Sequence, residues 1–169
     1  KVIPVISHFD NKFELPPVKD LKEKITNKTR AILICNPSNP TGYLYTEIEI
    51  KALVDLAVEK DIFIIVDEVY REFIYTDSSH YSVLQNKKGS QHAVMIDSVS
   101  KRYSLCGARV GCMISKNKRL MATALKFAHL RLSPPALALM ASEAAITAPH
   151  SYLEAVKKEY SIRRKVTIE

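Results

Sequence analysis

Three short runs constrain this chain most, because each is apolar at every position: Ala31-Ile-Leu-Ile-Cys35, Ile62-Phe-Ile-Ile-Val66 and Ala93-Val-Met-Ile96. A strand with one wetted face alternates apolar and polar side chains, whereas an unbroken apolar run of strand length calls for burial on both faces. Helical patterns lie between the runs. Pro16–Thr26 sets Val18, Leu21 and Ile25 on one face, and Thr46 with Glu49 forms a capping box ahead of a stripe of Ile50, Leu53, Leu56 and Ala57. Strand–helix–strand alternation with buried strands predicts an α/β fold of three layers, a mostly parallel sheet flanked by helices.

The remaining segments add detail. Val2–Ser7 reads as a short strand, Phe73–Tyr75 as a short edge strand and Arg109–Ser115 as a fourth strand of the sheet. Thr76–Gln91 is mostly polar, shows no period and is expected to be a surface loop. Helices are expected over Lys118–Leu130, Pro135–Thr147 and Ser151–Ile168. The 169 residues suffice for one domain with a real core. No apolar run is long enough to span a bilayer, and no signal-peptide pattern opens the chain. It starts at Lys1 without an initiator methionine, which fits a chain that begins inside a longer protein.

Composition excludes several partners. Cys35, Cys106 and Cys112 are odd in number and lack C-x-x-C spacing, which suits free thiols in a reducing, cytoplasmic compartment. His8, His80, His92, His129 and His150 are scattered without ligand spacing, so no metal site is expected. The net charge of +7 is spread along the chain, with small clusters only at Lys116–Arg119 and Lys157–Lys165. No nucleic-acid motif accompanies them, and neither nucleic acid nor membrane is expected as a partner.

In parallel α/β sheets, ligands bind beyond the carboxyl ends of the strands. Here those ends carry Asn36–Gly42, Asp67–Tyr70 and Ser98–Lys101. In the stretch Ser98-Val-Ser-Lys-Arg-Tyr-Ser-Leu-Cys-Gly-Ala-Arg-Val-Gly111, Lys101 stands just past an apolar strand, with Ser98, Ser100 and Ser104 around it and Arg109 beyond. A lysine partly withdrawn from water at such a mouth is an amine nucleophile toward a carbonyl. Hydroxyls with a guanidinium fork make a phosphate cradle. Together they point to a phosphorylated aldehyde held as a Schiff base, of which pyridoxal 5'-phosphate (PLP) is the common one. Taken alone, the same stretch reads equally well as a surface lysine in a serine-rich loop, with the arginine pairing some carboxylate. Asp67, at the end of a buried strand, is placed to pair with a protonated ring nitrogen. Tyr70 and Asn39 could donate to a ring oxygen. An apolar run before Asp67-Glu68 also resembles a magnesium-binding strand end, but none of Gly42, Gly89, Gly107 and Gly111 has the spacing of a phosphate-binding P-loop or of G-x-G-x-x-G.

Three motifs in register resemble the fold-type I PLP-dependent aminotransferases of class I/II: Asn-Pro-Thr-Gly at Asn39–Gly42, Asp-Glu-Val-Tyr at Asp67–Tyr70, and Ser-x-Ser-Lys with Gly-x-Arg-x-Gly across Ser98–Gly111. The resemblance covers essentially the whole chain, and Arg102–Cys106 with Arg131–Pro135 look most like bacterial aspartate aminotransferase-like proteins. It implies that Lys101 binds the cofactor aldehyde and shuttles a proton, and that Asp67 partners the pyridine nitrogen. Tyr70 and Asn39 would partner the 3'-oxygen, and Ser98 and Arg109 the phosphate, with Ser100 beside them. Asn39, Pro40 and Gly42 also suit a plain turn, and Ser98 a loop cap. Glu68 is expected to be structural, Tyr103 to pack, and Arg131 to be a solvated helix end. Ala108 departs from the aromatic residue that many members carry beside the phosphate arginine.

The resemblance further implies an amino acid and a 2-oxo acid as substrates and a homodimer as the assembly. It implies a large domain that is only partly present: residues 1–150 would be its cofactor-binding part, and 151–169 the start of a helix leading toward a small domain. A PLP-dependent carbon–sulfur lyase and an aminotransferase-like sensing domain of a transcription regulator are alternatives that the same motifs allow.

Overall fold

The three apolar runs pair side by side, as their composition demands. In the computed structural model, which describes residues 1–168 and leaves Glu169 outside, they are β1 (Ala31–Cys35), β2 (Phe63–Asp67) and β3 (Ala93–Ser98). The helices α1 (Val18–Lys24) and α2 (Glu47–Glu59) precede β1 and β2 respectively. After β3 come α3 (Val99–Arg102), β4 (Gly111–Ile114), α4 (Lys118–Arg131), α5 (Ala136–Ile146) and α6 (His150–Ile168). The sheet order is β1-β2-β3-β4, with β1, β2 and β3 parallel and β4 antiparallel to β3. It is therefore a mixed, mostly parallel sheet flanked by helices.

Helix α2 starts where the capping box places it. Thr46 accepts from the Glu49 amide, and the Glu49 carboxylate accepts from the Thr46 amide at 2.7 Å. Its inner face buries Ile50, Leu53, Val54, Leu56 and Ala57 against Ile64 and Val66 of β2 and Ala93 and Met95 of β3. Each fully buried aliphatic side chain of this size contributes about 1.5–3 kcal/mol. The opposite sheet face is covered unevenly. Val94 is buried there, Ile65 is half-buried, and Leu33 of the edge strand β1 is 71 % exposed. The run at β1 is thus apolar on both faces but covered on one.

Three expectations are corrected. Val2–Ser7 forms no strand, because no neighbouring backbone pairs with it, and Val2 and Ile6 are exposed. Phe73–Tyr75 is likewise not a strand; the Phe73 ring packs edge-on against Tyr160 of α6, with centroids 5.8 Å apart. Thr76–Gln91 is more than a surface loop. It contains a 3-10 turn at Val83–Gln85, capped by Ser82, and it buries Val83 and Asn86. A single turn is too short to show a helical period.

That turn seals a carboxylate into the core. Glu68 is fully buried and accepts from the Val83 amide at 2.9 Å and the Ser82 hydroxyl at 3.0 Å, while Oε2 faces His80 Nε2 at 3.8 Å. Burial pushes the Glu68 carboxyl above its ordinary value and the His80 imidazole below its own. Both shifts favour a neutral pair. A carboxyl with a raised folded-state value contributes stability below about pH 4.5 that is lost as pH rises through that raised value. Glu68→Gln keeps an oxygen for both donors and cannot ionise. It should therefore become steadily more stable relative to the parent as pH is raised from about 4 to 8, read from urea midpoints. A stability difference that stays flat over this range contradicts a raised Glu68.

Candidate active site

Parallel pairing brings the carboxyl ends of β1, β2 and β3 to one edge of the sheet. Cys35 is paired in register with Asp67, and Asp67 with Ile96. Since side chains alternate along a strand, Asp67 shares the face of Ile65 and Ile96, opposite the α2-packed face of Ile64 and Val66. Asp67 is half-buried, and its Oδ1 accepts from the Val69 amide at 3.1 Å, which starts the turn that carries Tyr70.

Lys101 sits on α3, one short turn that continues directly from β3. Its Nζ lies 5.7 Å from the centroid of the Tyr70 ring, within cation–π range. Tyr70 in turn receives a hydrogen bond on its hydroxyl from Asn39 Nδ2 at 3.1 Å. Lys101, Tyr70 and Ser100 line a cleft of about 1050 Å3 that also reaches Tyr43, Tyr75 and Arg164. Among the described residues, no carboxylate lines it. Lys101 is exposed, so the expected withdrawal of its amine from water is not provided by the residues described.

Ser98, Ser100 and Arg109 line a smaller depression of about 380 Å3 that shares Ser100 with the cleft. Ser98 caps α3: its hydroxyl accepts from the Ser100 amide at 3.1 Å, shares a 2.7 Å hydrogen bond with the Ser100 hydroxyl and donates to the Val110 carbonyl at 2.8 Å. Arg109 holds a left-handed backbone, φ 57°, uncommon outside glycine. Its guanidinium donates to the Cys106 carbonyl at 3.0 Å, which leaves most of the fork free. Gly111, opposite Ser98 in the β3–β4 pairing, makes the floor: a Cβ there would come within 2.9 Å of the Asp97 carbonyl and 3.5 Å of Ser98 Cβ. A floor that only glycine fits, ringed by hydroxyls and a guanidinium, suits a phosphate group, and an amine in the neighbouring cleft suits its aldehyde.

The structure thus brings Tyr70, Lys101 and Asn39 together, and Ser98, Ser100 and Arg109 together. Asp67 stands at the same sheet edge and lines neither space. Arg131 is exposed at the end of α4, as expected, and Tyr103 is half-buried beneath Arg102. Sequence reasoning missed a set of ion pairs behind α3. Asp97 is buried; its Oδ2 accepts from Arg71 at 2.8 Å and from Arg102 at 3.2 Å, and Arg102 also lies 3.3 Å from Glu72. The one available signal was Asp97 itself, a charge continuing an apolar strand. Among the described residues, no group of three or more His, Cys, Asp or Glu is placed to hold a metal ion, and no helix is long and apolar enough to cross a membrane.

Fold and site define a mixed α/β protein with an amine and an anion cradle at its strand ends. Comparison with known proteins agrees. A family model described as "Aminotransferase class I and II" matches residues 5–168. Aspartate aminotransferase of Bacillus subtilis is 35 % identical over 155 residues, covering 91 % of this chain and 39 % of the relative. That of Pyrococcus abyssi is 31 % identical over 169 residues, covering 98 % and 43 %. Among solved structures, an aromatic aminotransferase from Pyrococcus horikoshii superposes with a TM-score of 0.84 at 30 % identity, over 95 % of this chain and 43 % of its own. A Thermus thermophilus aspartate aminotransferase mutant gives 0.86 at 26 %, over 96 % and 42 %. The chain belongs to the class I and II aminotransferases, a PLP-dependent family. It spans about two fifths of the length of the relatives it matches.

Gly111→Ala should cost about 1–3 kcal/mol in thermal or urea denaturation, because the atom a Cβ meets first is a backbone carbonyl that cannot swing aside. A cost below about 0.5 kcal/mol, the usual range for surface substitutions, would show that the floor has room to spare.

Proposed function

We propose that this chain is the cofactor-binding part of a PLP-dependent aminotransferase that moves the amino group of an amino acid, aspartate foremost, to a 2-oxo acid in a cytoplasmic homodimer. In this reading residues 1–150 belong to that part of the large domain, and 151–169, of which Glu169 lies outside the described residues, to the start of a segment leading toward a small domain. The observation that carries this reading is the junction of β3 and α3. One short stretch of backbone presents Ser98 and Ser100 to the anion depression and Lys101 to the adjoining cleft. The assembly is supported by the apolar side chains that α4 and α5 leave exposed, Phe127, Leu130, Leu137 and Met140 among them.

PLP, when bound, supplies an electrophilic aldehyde and a protonated ring that draws electrons from Cα of an attached amino acid. The chain's residues divide the remaining work. Arg109 would hold the phosphate with charge-assisted hydrogen bonds, joined by Ser98 and Ser100 when their hydroxyls turn from the Val110 carbonyl and from each other. The Asp67 carboxylate holds the proton on the ring nitrogen, since an opposite charge in contact favours the protonated form. Asn39 and Tyr70 form a donor pair for the ring oxygen, the amide orienting the phenol. The Lys101 Nζ would hold the cofactor through its aldehyde and would serve as general base for the Cα proton of a substrate.

Lys101→Ala in the complete polypeptide should lower turnover by at least about 10²–10⁴-fold, the usual reach of a general base, and remove the covalent label that borohydride reduction leaves on the parent. Undiminished turnover and labelling would refute the role. Release of pyruvate and ammonia without a 2-oxo acid acceptor would instead make the protein a carbon–sulfur lyase. Arg109→Ala should weaken PLP retention in equilibrium dialysis by about 10–100-fold, the worth of hydrogen bonds to a charged group. Unchanged affinity would remove Arg109 from the phosphate site.

A further inference from the structure

Asp97 has no place in the chemistry above, and it is the one buried carboxylate here that holds two guanidinium groups. Three features distinguish it from an ordinary structural ion pair. First, its two oxygens have different work: Oδ1 accepts from the Ser98 amide at 2.8 Å, while Oδ2 accepts from Arg71 at 2.8 Å and from Arg102 at 3.2 Å. Second, each partner is the chain neighbour of a site residue. Ser98 is a cradle residue itself, Arg71 follows Tyr70, and Arg102 follows Lys101. Third, the centre of the assembly is poorly exposed: the Asp97 side chain is 10 % exposed and that of Arg102 12 %, while Arg71 and Glu72 at its rim are 25 % and 35 % exposed, with Glu72 3.3 Å from the Arg102 guanidinium.

Beyond the Ser98 cap, α3 has little to hold it in place. It is four residues long, too short to hold its own shape, and it buries only Val99. The Lys101 side chain is exposed and has no ion-pair partner among the described residues. Its backbone therefore relies on the contacts flanking it, and Arg102 is gripped from behind by Asp97 and Glu72. The same carboxylate grips Arg71 and so fixes the turn that presents Tyr70, against whose ring Nζ lies.

We propose that Asp97 is a positioning residue. Through Arg71 and Arg102 it ties the lysine-bearing turn to the tyrosine-bearing turn and sets where the Lys101 amine points. The inference rests on the function proposed above, in which Lys101 is the reacting amine. Asp97 also lines the anion depression beside Ser98, but its carboxylate is held by Arg71 and Arg102, and it acts through these two arginines. Arg71 and Arg102 each place one nitrogen on the same Asp97 oxygen, and the planar Arg102 guanidinium spans Asp97 and Glu72, which holds orientation more tightly than a point charge would; misplacing a reacting group by about 1 Å costs on the order of 10²-fold in rate.

The test uses the complete polypeptide and three measurements: PLP attachment at Lys101, trapped with borohydride and mapped by peptide mass; steady-state kcat and KM; and thermal stability. Asp97→Asn keeps an acceptor for the Ser98 amide and removes the charge that holds the arginines. Per molecule carrying PLP at Lys101, its kcat should fall by on the order of 10²-fold while KM moves by less than about threefold. Arg102→Gln should lower kcat alone, yet add nothing further in the Asp97→Asn background, because both act through one contact. A merely structural Asp97 would lower stability and the loaded fraction, with kcat per loaded molecule unchanged; that result overturns the proposal. Arg102→Lys, which keeps the charge and loses the fork, carries the same kcat expectation if Asp97→Asn does not fold, and an unchanged kcat there also overturns it. No trapped PLP on Lys101 in the parent protein would instead overturn the functional reading, and this inference with it.

Discussion

Parallel hydrogen bonding of β1, β2 and β3 is the constraint on which everything else in the molecule depends. It sends all three chains off the same edge of the sheet, so that residues far apart in sequence are neighbours by register: Cys35 beside Asp67, Asp67 beside Ile96. Each exit then turns through a different device. After β1 comes the proline-rich loop that carries Asn39; after β2 the Asp67 turn, with Oδ1 on the Val69 amide; after β3 the Ser98-capped turn of α3. The amine, the phenol and the hydroxyls arrive at one place because the ladder delivers them there. The packed α2 face holds the ladder rigid, with Ile50, Leu53, Ile64 and Val66 wholly buried.

The two buried carboxylates next to the site show how environment decides charge. Asp97 faces two guanidinium groups in hydrogen-bond contact, and this pairing offsets the cost of leaving water. Glu68 is fully buried, and its nearest ionisable neighbour is a histidine that burial itself discourages from protonating. Desolvation therefore prevails at Glu68, and its carboxyl is pushed upward despite two donors on Oε1. Asp67 lies between these cases in space: half-buried, with a backbone amide on one oxygen. A site that needs a fixed negative charge beside one aromatic group would use such a position rather than that of Glu68.

What the sequence disclosed follows from which interactions are local. The strands were legible because an apolar run of strand length has few alternatives, and α2 because Thr46 and Glu49 cap it within a single turn. The candidate site residues were legible only as polar groups standing where apolar runs stop. The burial of Thr76–Gln91 was hidden because its fit depends on Glu68, distant in sequence, and a single 3-10 turn has no period. The expected strand at Val2–Ser7 failed for the converse reason: its composition suits a strand, but strands are made by partners. The Asp97 clamp was equally invisible, since nothing in the order of residues 71, 97 and 102 says that one carboxylate meets both arginines.

The remaining discrepancy concerns Lys101, expected to be withdrawn from water and found exposed. Its backbone is anchored by groups within the described residues, so orientation does not depend on further protein. Dryness does. Leu33 on the site face of β1 is 71 % exposed, and helix α5 exposes Leu137, Met140 and Ile146. Surfaces this apolar are ordinarily covered. Cover over the face of Leu33 would strengthen any electrostatic attraction that Asp67 or Arg109 exerts there, because such attractions gain as water leaves. The described residues thus fix the turn that carries Lys101 and leave its side chain in water, so that orientation and dryness are separate requirements with separate sources.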